Sequence, residues 1–117
     1  SGTADEEEVQ WNIKKIGADK VWSMDGSRTR GQGIIYGIAD TGVAFQHPNI
    51  RDNYNGLRPD GTYDHNYSWY DGVQVPVSGG STRSSCGVAA RAPCDDQGHG
   101  THVTSTAVGA GGYGVAP

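Results

Sequence analysis

Apolar positions gather in two dense runs, 33–43 and 102–115, separated by a long polar, glycine-rich stretch over 51–97. Ahead of them Val9, Trp11, Ile13, Ile16, Ala18, Val21 and Trp22 recur at roughly helical intervals, which predicts a short helix or two helical turns. Residues 23–32 are polar and glycine-bearing and read as a connection. Gly33-Ile34-Ile35-Tyr36-Gly37-Ile38-Ala39 is continuous and rich in β-branched side chains, the pattern of a strand buried on both faces. It stops at Asp40-Thr41-Gly42, so a carboxylate is delivered where a central parallel strand would end. In open α/β sheets that edge is where active sites collect. Beyond the polar stretch, the small and apolar residues of 99–108 predict a helix packed on the sheet. Residues 109–114 break it, and Gly114-Val115-Ala116-Pro117 enters a further extended segment.

Composition changes this picture in one respect. With 19 glycines and 34% apolar residues in 117, the chain is lean for a self-sufficient core and reads as part of something larger. A loop as long as 51–97 points to function, insertion or incompleteness, and incompleteness plus insertion is favoured. Within it, 63–71 is rich in Tyr, Trp and His and has room for a short strand, while 71–93 is mostly turn-forming.

The net charge of −4 has its strongest cluster at Asp5-Glu6-Glu7-Glu8, in a segment 1–10 that reads as a flexible, solvated arm. The nine Lys and Arg residues are scattered, which argues against nucleic-acid binding. No run approaches the ~20 apolar residues of a membrane-spanning helix. The chain has neither an initial Met nor a leader pattern, so any signal or pro-segment is expected to have been removed before position 1. Cys86 and Cys94 bracket a short Gly/Ala/Pro-containing loop that a local disulfide would close, stabilising by ~2–3 kcal/mol. Such a bridge fits an oxidising compartment, whereas free or differently paired thiols are the other outcome that spacing allows.

The chemistry-bearing residues are few. Asp-Thr-Gly is also a good turn, but a carboxylate directly after a buried strand is partly desolvated and suited to orient an imidazole. His99 lies between Gly98 and Gly100 at the start of the predicted helix, where backbone or ligand can come close. His47, before Pro48, and His65, in the polar stretch, read as ordinary satisfied histidines. His102 makes a His-x-x-His pair with His99, but it lacks the intervening Glu and the spacing of a zinc-protease helix, and no metal site is expected.

Taken together, the apolar strand, Asp40-Thr41-Gly42, His47-Pro48, Gly98-His99-Gly100-Thr101-His102-Val103 and Gly114-Val115-Ala116-Pro117 closely resemble the subtilisin-like serine proteases, the subtilases. Trp11-Asn12-Ile13 and Tyr67-Ser68-Trp69-Tyr70-Asp71 are similar to the bacillopeptidase F branch of that family. The chain order Asp then His also agrees with theirs.

The resemblance implies the N-terminal part of a three-layer α/β domain, a mostly parallel sheet flanked by helices, spanning 1–117. It further implies a secreted, extracellular endopeptidase, made as a zymogen, that cleaves polypeptides through an acyl-enzyme and meets protein inhibitors. Asp40 would support His99, and His99 would act as the base. None of Ser1, Ser23, Ser27, Ser68, Ser78, Ser81, Ser84, Ser85 or Ser105 sits in a Gly-Thr-Ser-Met-Ala type of segment. The nucleophile is therefore expected beyond 117, in a C-terminal remainder of the domain that would be this chain's partner, and the isolated chain is expected to be inactive. Ser105 follows His99 by six residues in the same helix, away from its face. Thr104-Ser105-Thr106 stands where relatives often have Ala-Gly-Thr, a change in packing. Residues 110–114 are brief where some relatives insert a calcium-binding loop, so no calcium site of that kind and no required cofactor are expected. Asp- and Asn-rich loops elsewhere leave structural calcium open.

Two rivals stand beside this. A dimeric aspartic protease would also carry one Asp-Thr-Gly after an apolar strand, here Asp40-Thr41-Gly42, but the helix-like His99 segment and the lack of a regular short-strand pattern speak against it. The other is a non-catalytic, protease-derived binding fragment.

Overall fold

The computed structural model describes residues 8–24, 29–75 and 86–117. The acidic cluster at 5–8 apart from Glu8, and Ser1, Ser27, Ser78, Ser81, Ser84 and Ser85, lie outside the described residues.

The helical periodicity at the start resolves into two short helices, α1 (Trp11–Lys15) and α2 (Ala18–Trp22), broken at Gly17, whose φ of 80° is left-handed. The turn lets Ile13, Ala18 and Trp22 converge into the main apolar cluster, with Val9 packed against it and Ile13 only 1% exposed. This cluster is tied to the far end of the chain, because the Trp22 indole N–H donates to the carbonyl of Val115 at 2.8 Å. The Arg30 guanidinium lies over the Trp22 ring, 4.9 Å from its centroid, a cation–π contact. Residues 8–10, the end of the predicted arm, lie against the 109–114 turn, with the Gln10 N–H donating to the Gly112 carbonyl at 2.9 Å.

A single longer helix, α3 (His99–Val108), carries the second apolar run. Its ends show why ten residues suffice. A helix leaves its first four N–H and last four C=O groups without internal partners, and here most find one elsewhere in the chain. The Thr106 and Ala107 carbonyls accept from the Val115 and Ala116 N–H groups at 3.0 and 2.8 Å, and the Val108 carbonyl accepts from the Asn53 side chain at 2.7 Å. The predicted extended segment 114–117 therefore runs back beside α3.

The expected strand is where structure and expectation part. Residues 33–39 form no ladder with any described segment, and the apolar side chains are bare: Ile34 is 76% and Ile35 81% exposed. The β-pairing among the described residues is an isolated antiparallel bridge, Leu57 with Tyr63, inside the polar stretch. No parallel sheet is present among the described residues. The physical reason is partnership: a strand satisfies its N–H and C=O groups only against neighbours, and the rest of the described chain offers no second apolar β-branched run to pair with this one. Instead the segment borders a broad groove of about 1490 Å³, whose far wall includes Thr104, Ala107 and Val108 of α3.

The excursion has its own small framework. Tyr54, Tyr63 and His65 cluster with Phe45 from just ahead of it, ring centroids 4.9 to 6.3 Å apart, and the Tyr54 hydroxyl meets His65 Nδ1 at 2.7 Å. Further along, Cys86 and Cys94 are joined in a disulfide. That loop docks on 69–73: the Trp69 indole donates to the Ala90 carbonyl, and the buried Asp71 carboxylate accepts from the Val73 and Ala90 N–H groups.

Candidate active site

Asp40 and His99, 59 residues apart in sequence, meet directly: His99 Nδ1 lies 2.8 Å from Asp40 Oδ1. Two local features bring them together. Gly42, two residues after Asp40, has a φ of 121°, and a Cβ on it would lie 1.8 Å from the Cys94 carbonyl oxygen. Only glycine allows both the conformation and the approach. Gly100, next to His99, is buried against the same turn. The end of the 33–39 run and the start of α3 are thus held backbone to backbone.

The Asp40 side chain is 18% exposed and the His99 side chain 65% exposed. Asp40 Oδ1 also accepts the Thr41 N–H at 2.7 Å. The His99 hydrogen bond first, and the Thr41 N–H second, hold the Asp40 carboxyl below its ordinary value of 3.8. An ionised carboxylate can only accept, so the proton in the contact belongs to His99 Nδ1. In the neutral ring that leaves Nε2 with its lone pair free, and no described residue is hydrogen-bonded to it. The geometry supplies an oriented base.

The site has a member that the sequence reading passed over. Gly98, the N-cap of α3, has no side chain with which to cap the helix, and Asp95 takes that role from three residues upstream. Its Oδ1 accepts the Gln97 and Gly98 N–H groups at 3.1 and 2.9 Å, and its Oδ2 accepts the Thr101 N–H at 2.8 Å. Oδ2 also accepts the Thr101 hydroxyl at 2.5 Å, and Oδ1 the Thr41 hydroxyl at 2.9 Å. Burial alone would raise the Asp95 pKa, but these donors together, the Thr101 hydroxyl and the Gly98 N–H foremost, hold it far below the usual carboxylate range. The available signal was an Asp just ahead of a helix whose cap position is glycine.

The other histidines stay apart from this pair. His47 Nδ1 accepts the Asn49 N–H, His65 sits in the aromatic cluster, and His102 is exposed on α3. Among the described residues no three His, Cys, Asp or Glu side chains are grouped as a metal site. Ser105 turns toward Gly109, where an added Cβ would lie 2.7 Å from its Oγ.

Residues 31–117 match the subtilase family. The chain is 34% identical over 116 residues to bacillopeptidase F of Bacillus subtilis (strain 168), a match covering 93% of this chain and 7% of that relative. It is 34% identical over 112 residues to a subtilisin of Bacillus sp. (strain TA39), covering 92% of this chain and 21% of the relative. A third relative is the minor extracellular protease Vpr of Bacillus subtilis (strain 168), 32% identical over 103 residues, 87% of this chain and 10% of that protein. The chain thus spans between 7% and 21% of the length of these relatives. No solved structure matches it. The family match takes in the Asp40-Thr41-Gly42 turn and the whole of α3, and the chain belongs to the subtilase family.

Proposed function

We propose that this chain supplies the acid–base half of the active site of an extracellular serine endopeptidase. The observation that carries this is the 2.8 Å contact between Asp40 Oδ1 and His99 Nδ1. Asp40 holds the ring in the tautomer that leaves Nε2 free and stabilises the imidazolium once it forms. His99 Nε2 takes the proton of a serine hydroxyl as that oxygen attacks the peptide carbonyl. The same proton then passes to the departing amine, and water, activated in the same way, hydrolyses the acyl-enzyme.

The serine comes from a further part of the protease domain. Among the described residues Ser23 and Ser68 are engaged in local hydrogen bonds and Ser105 packs at Gly109, and none of the three is hydrogen-bonded to the imidazole. That further part is also the partner that would complete an α/β sheet on the bare 33–39 segment and fill the groove beside α3. Pairing with His99 keeps Asp40 ionised, which disfavours a proton-sharing aspartyl dyad. An extracellular location is supported by the name of one relative, the minor extracellular protease, and by the Cys86–Cys94 bridge. Polypeptides are the substrate class.

The test is a serine-directed fluorophosphonate applied to native material from which this chain is isolated, followed by denaturing electrophoresis and intact mass. Label on a species that co-purifies with or contains this sequence, together with loss of peptide hydrolysis, is the expected result. Hydrolysis by the 117-residue species alone, or hydrolysis indifferent to the fluorophosphonate, would overturn it.

A further inference from the structure

We propose that Asp95 is a positioning residue for the Asp40–His99 pair, acting through the hydroxyl of Thr41. This rests on the protease reading above for its purpose, although the geometry it concerns is a property of the chain itself.

Helix capping alone does not account for what Asp95 touches. Bonds to the Gly98 and Thr101 N–H groups would satisfy the start of α3. The carboxylate goes further and gathers two hydroxyls, from Thr41 at 2.9 Å and Thr101 at 2.5 Å. Because an ionised carboxylate only accepts, both hydroxyl protons point at Asp95. Each hydroxyl oxygen then has its lone pairs turned toward a backbone donor on the opposite segment. Thr41 Oγ1 accepts the Gly100 N–H at 2.8 Å, and Thr101 Oγ1 accepts the Ala44 N–H at 2.9 Å. The two threonines therefore cross-link the 40–44 turn to the first turn of α3, and Asp95 sets the direction of both links.

Thr41 is the nearer of the two to the chemistry. Its N–H donates to Asp40 Oδ1, and its hydroxyl holds the N–H of the residue after His99. One residue thus holds Asp40 through its backbone N–H and the backbone beside His99 through its hydroxyl, while Asp95 holds that hydroxyl in place. Misplacement of reacting groups by about 1 Å can cost on the order of 10²-fold in rate, so a clamp at this point has consequences for catalysis.

An amide cannot replace the carboxylate. Oδ1 accepts three donors and Oδ2 two, and the nitrogen of an asparagine amide accepts none. Whichever way the amide introduced by Asp95→Asn turned, at least two donors would lose their acceptor. Thr41→Val removes the hydroxyl at nearly constant shape, and Thr41→Ser retains it.

The test is ¹⁵N NMR of the 117-residue chain, reading the fraction of neutral His99 in the Nδ1–H tautomer, with thermal melting recorded alongside. Wild type and Thr41→Ser are expected to hold the Nδ1–H form. Asp95→Asn and Thr41→Val are expected to shift His99 toward the mixture of an unrestrained imidazole while still folded. A lowered melting temperature with an unchanged tautomer ratio in both variants would reduce Asp95 to a helix cap and overturn the proposal. If Asp95→Asn does not fold, Thr41→Val against Thr41→Ser decides it by the same ratio. Failure of the protease reading shows differently, as absence of fluorophosphonate labelling in native material whose His99 tautomer responds as described.

Discussion

Gly100 and Gly42 meet so closely that a Cβ on Gly100 would lie 2.1 Å from the Gly42 carbonyl oxygen. This contact sets the distance between the turn that carries Asp40 and the helix that begins with His99. Side-chain hydrogen bonds then adjust a separation that the two glycines already permit.

Gly100→Ala is accordingly expected to push the two segments apart. Overpacking of this kind typically costs about 1–3 kcal/mol, and Gly42→Ala adds the strain of a left-handed backbone to a clash with Cys94. Urea denaturation should show a lower midpoint for both variants, and both should weaken the Asp40–His99 contact. Retention of wild-type stability by Gly100→Ala would mean that the segments have slack the structure does not show.

Acid should loosen the site in a defined direction. Asp40 and Asp95 both titrate lower in the folded chain than the ordinary carboxylate value of 3.8. The unfolded chain then binds more protons below that value, so stability rises with pH across this window. Their contribution is fully present above about 3.8 and is lost as pH falls through the folded values. Asp95→Asn should flatten the acid limb of a stability–pH curve measured between pH ~2 and ~6. An acid limb unchanged by that substitution would show that other groups carry it.

The disulfide loop should prove doubly anchored. Cys86–Cys94 closes it covalently, and the buried Asp71 carboxylate holds it through the Ala90 N–H at 2.8 Å. Removing a buried acceptor of this kind costs about 1–3 kcal/mol. Asp71→Ala should therefore speed hydrogen exchange at Ala90 and Val73 even with the disulfide intact. Equal exchange in the variant and the wild type would show that the covalent bridge alone holds the loop.

The two kinds of apolar residue should behave in opposite ways. Ile13 is at the centre of the core, and Ile13→Ala should cost about 2–5 kcal/mol. Ile35 is bare, so Ile35→Ser should change the stability of the chain by no more than about 0.5 kcal/mol. The same substitution should weaken association with a sheet-completing segment. Denaturant melts separate the two effects, and a large loss from Ile35→Ser in the chain alone would contradict the exposure seen here.

How much of this could be read ahead of the structure depended on whether a feature is local. The Asp40 turn, the His99 helix and the cysteine loop are written in contiguous residues, and their spacing told where each would lie. The 33–39 run was legible as apolar and β-branched, but its surroundings were not, because burial of a strand depends on neighbours from elsewhere. The roles of Asp95 and Thr41 were also hidden. Their donors and acceptors converge from 40–44 and 95–101, and no sequence period marks a side chain that satisfies a helix end from outside it. Likewise the Trp22 bond to the Val115 carbonyl joins residues 93 apart, which no local pattern foreshadows.

The most direct measurement is peptide hydrolysis by the complete protease domain carrying His99→Ala or Asp40→Asn. If these residues are the base and its support, His99→Ala should lower kcat by on the order of 10⁶-fold and Asp40→Asn by on the order of 10⁴-fold, the general sizes for losing a triad base or converting its carboxylate to an amide. Both variants should keep their fold and their substrate KM. A His99→Ala domain that is folded and still hydrolyses peptides within about tenfold of wild type would contradict the assignment.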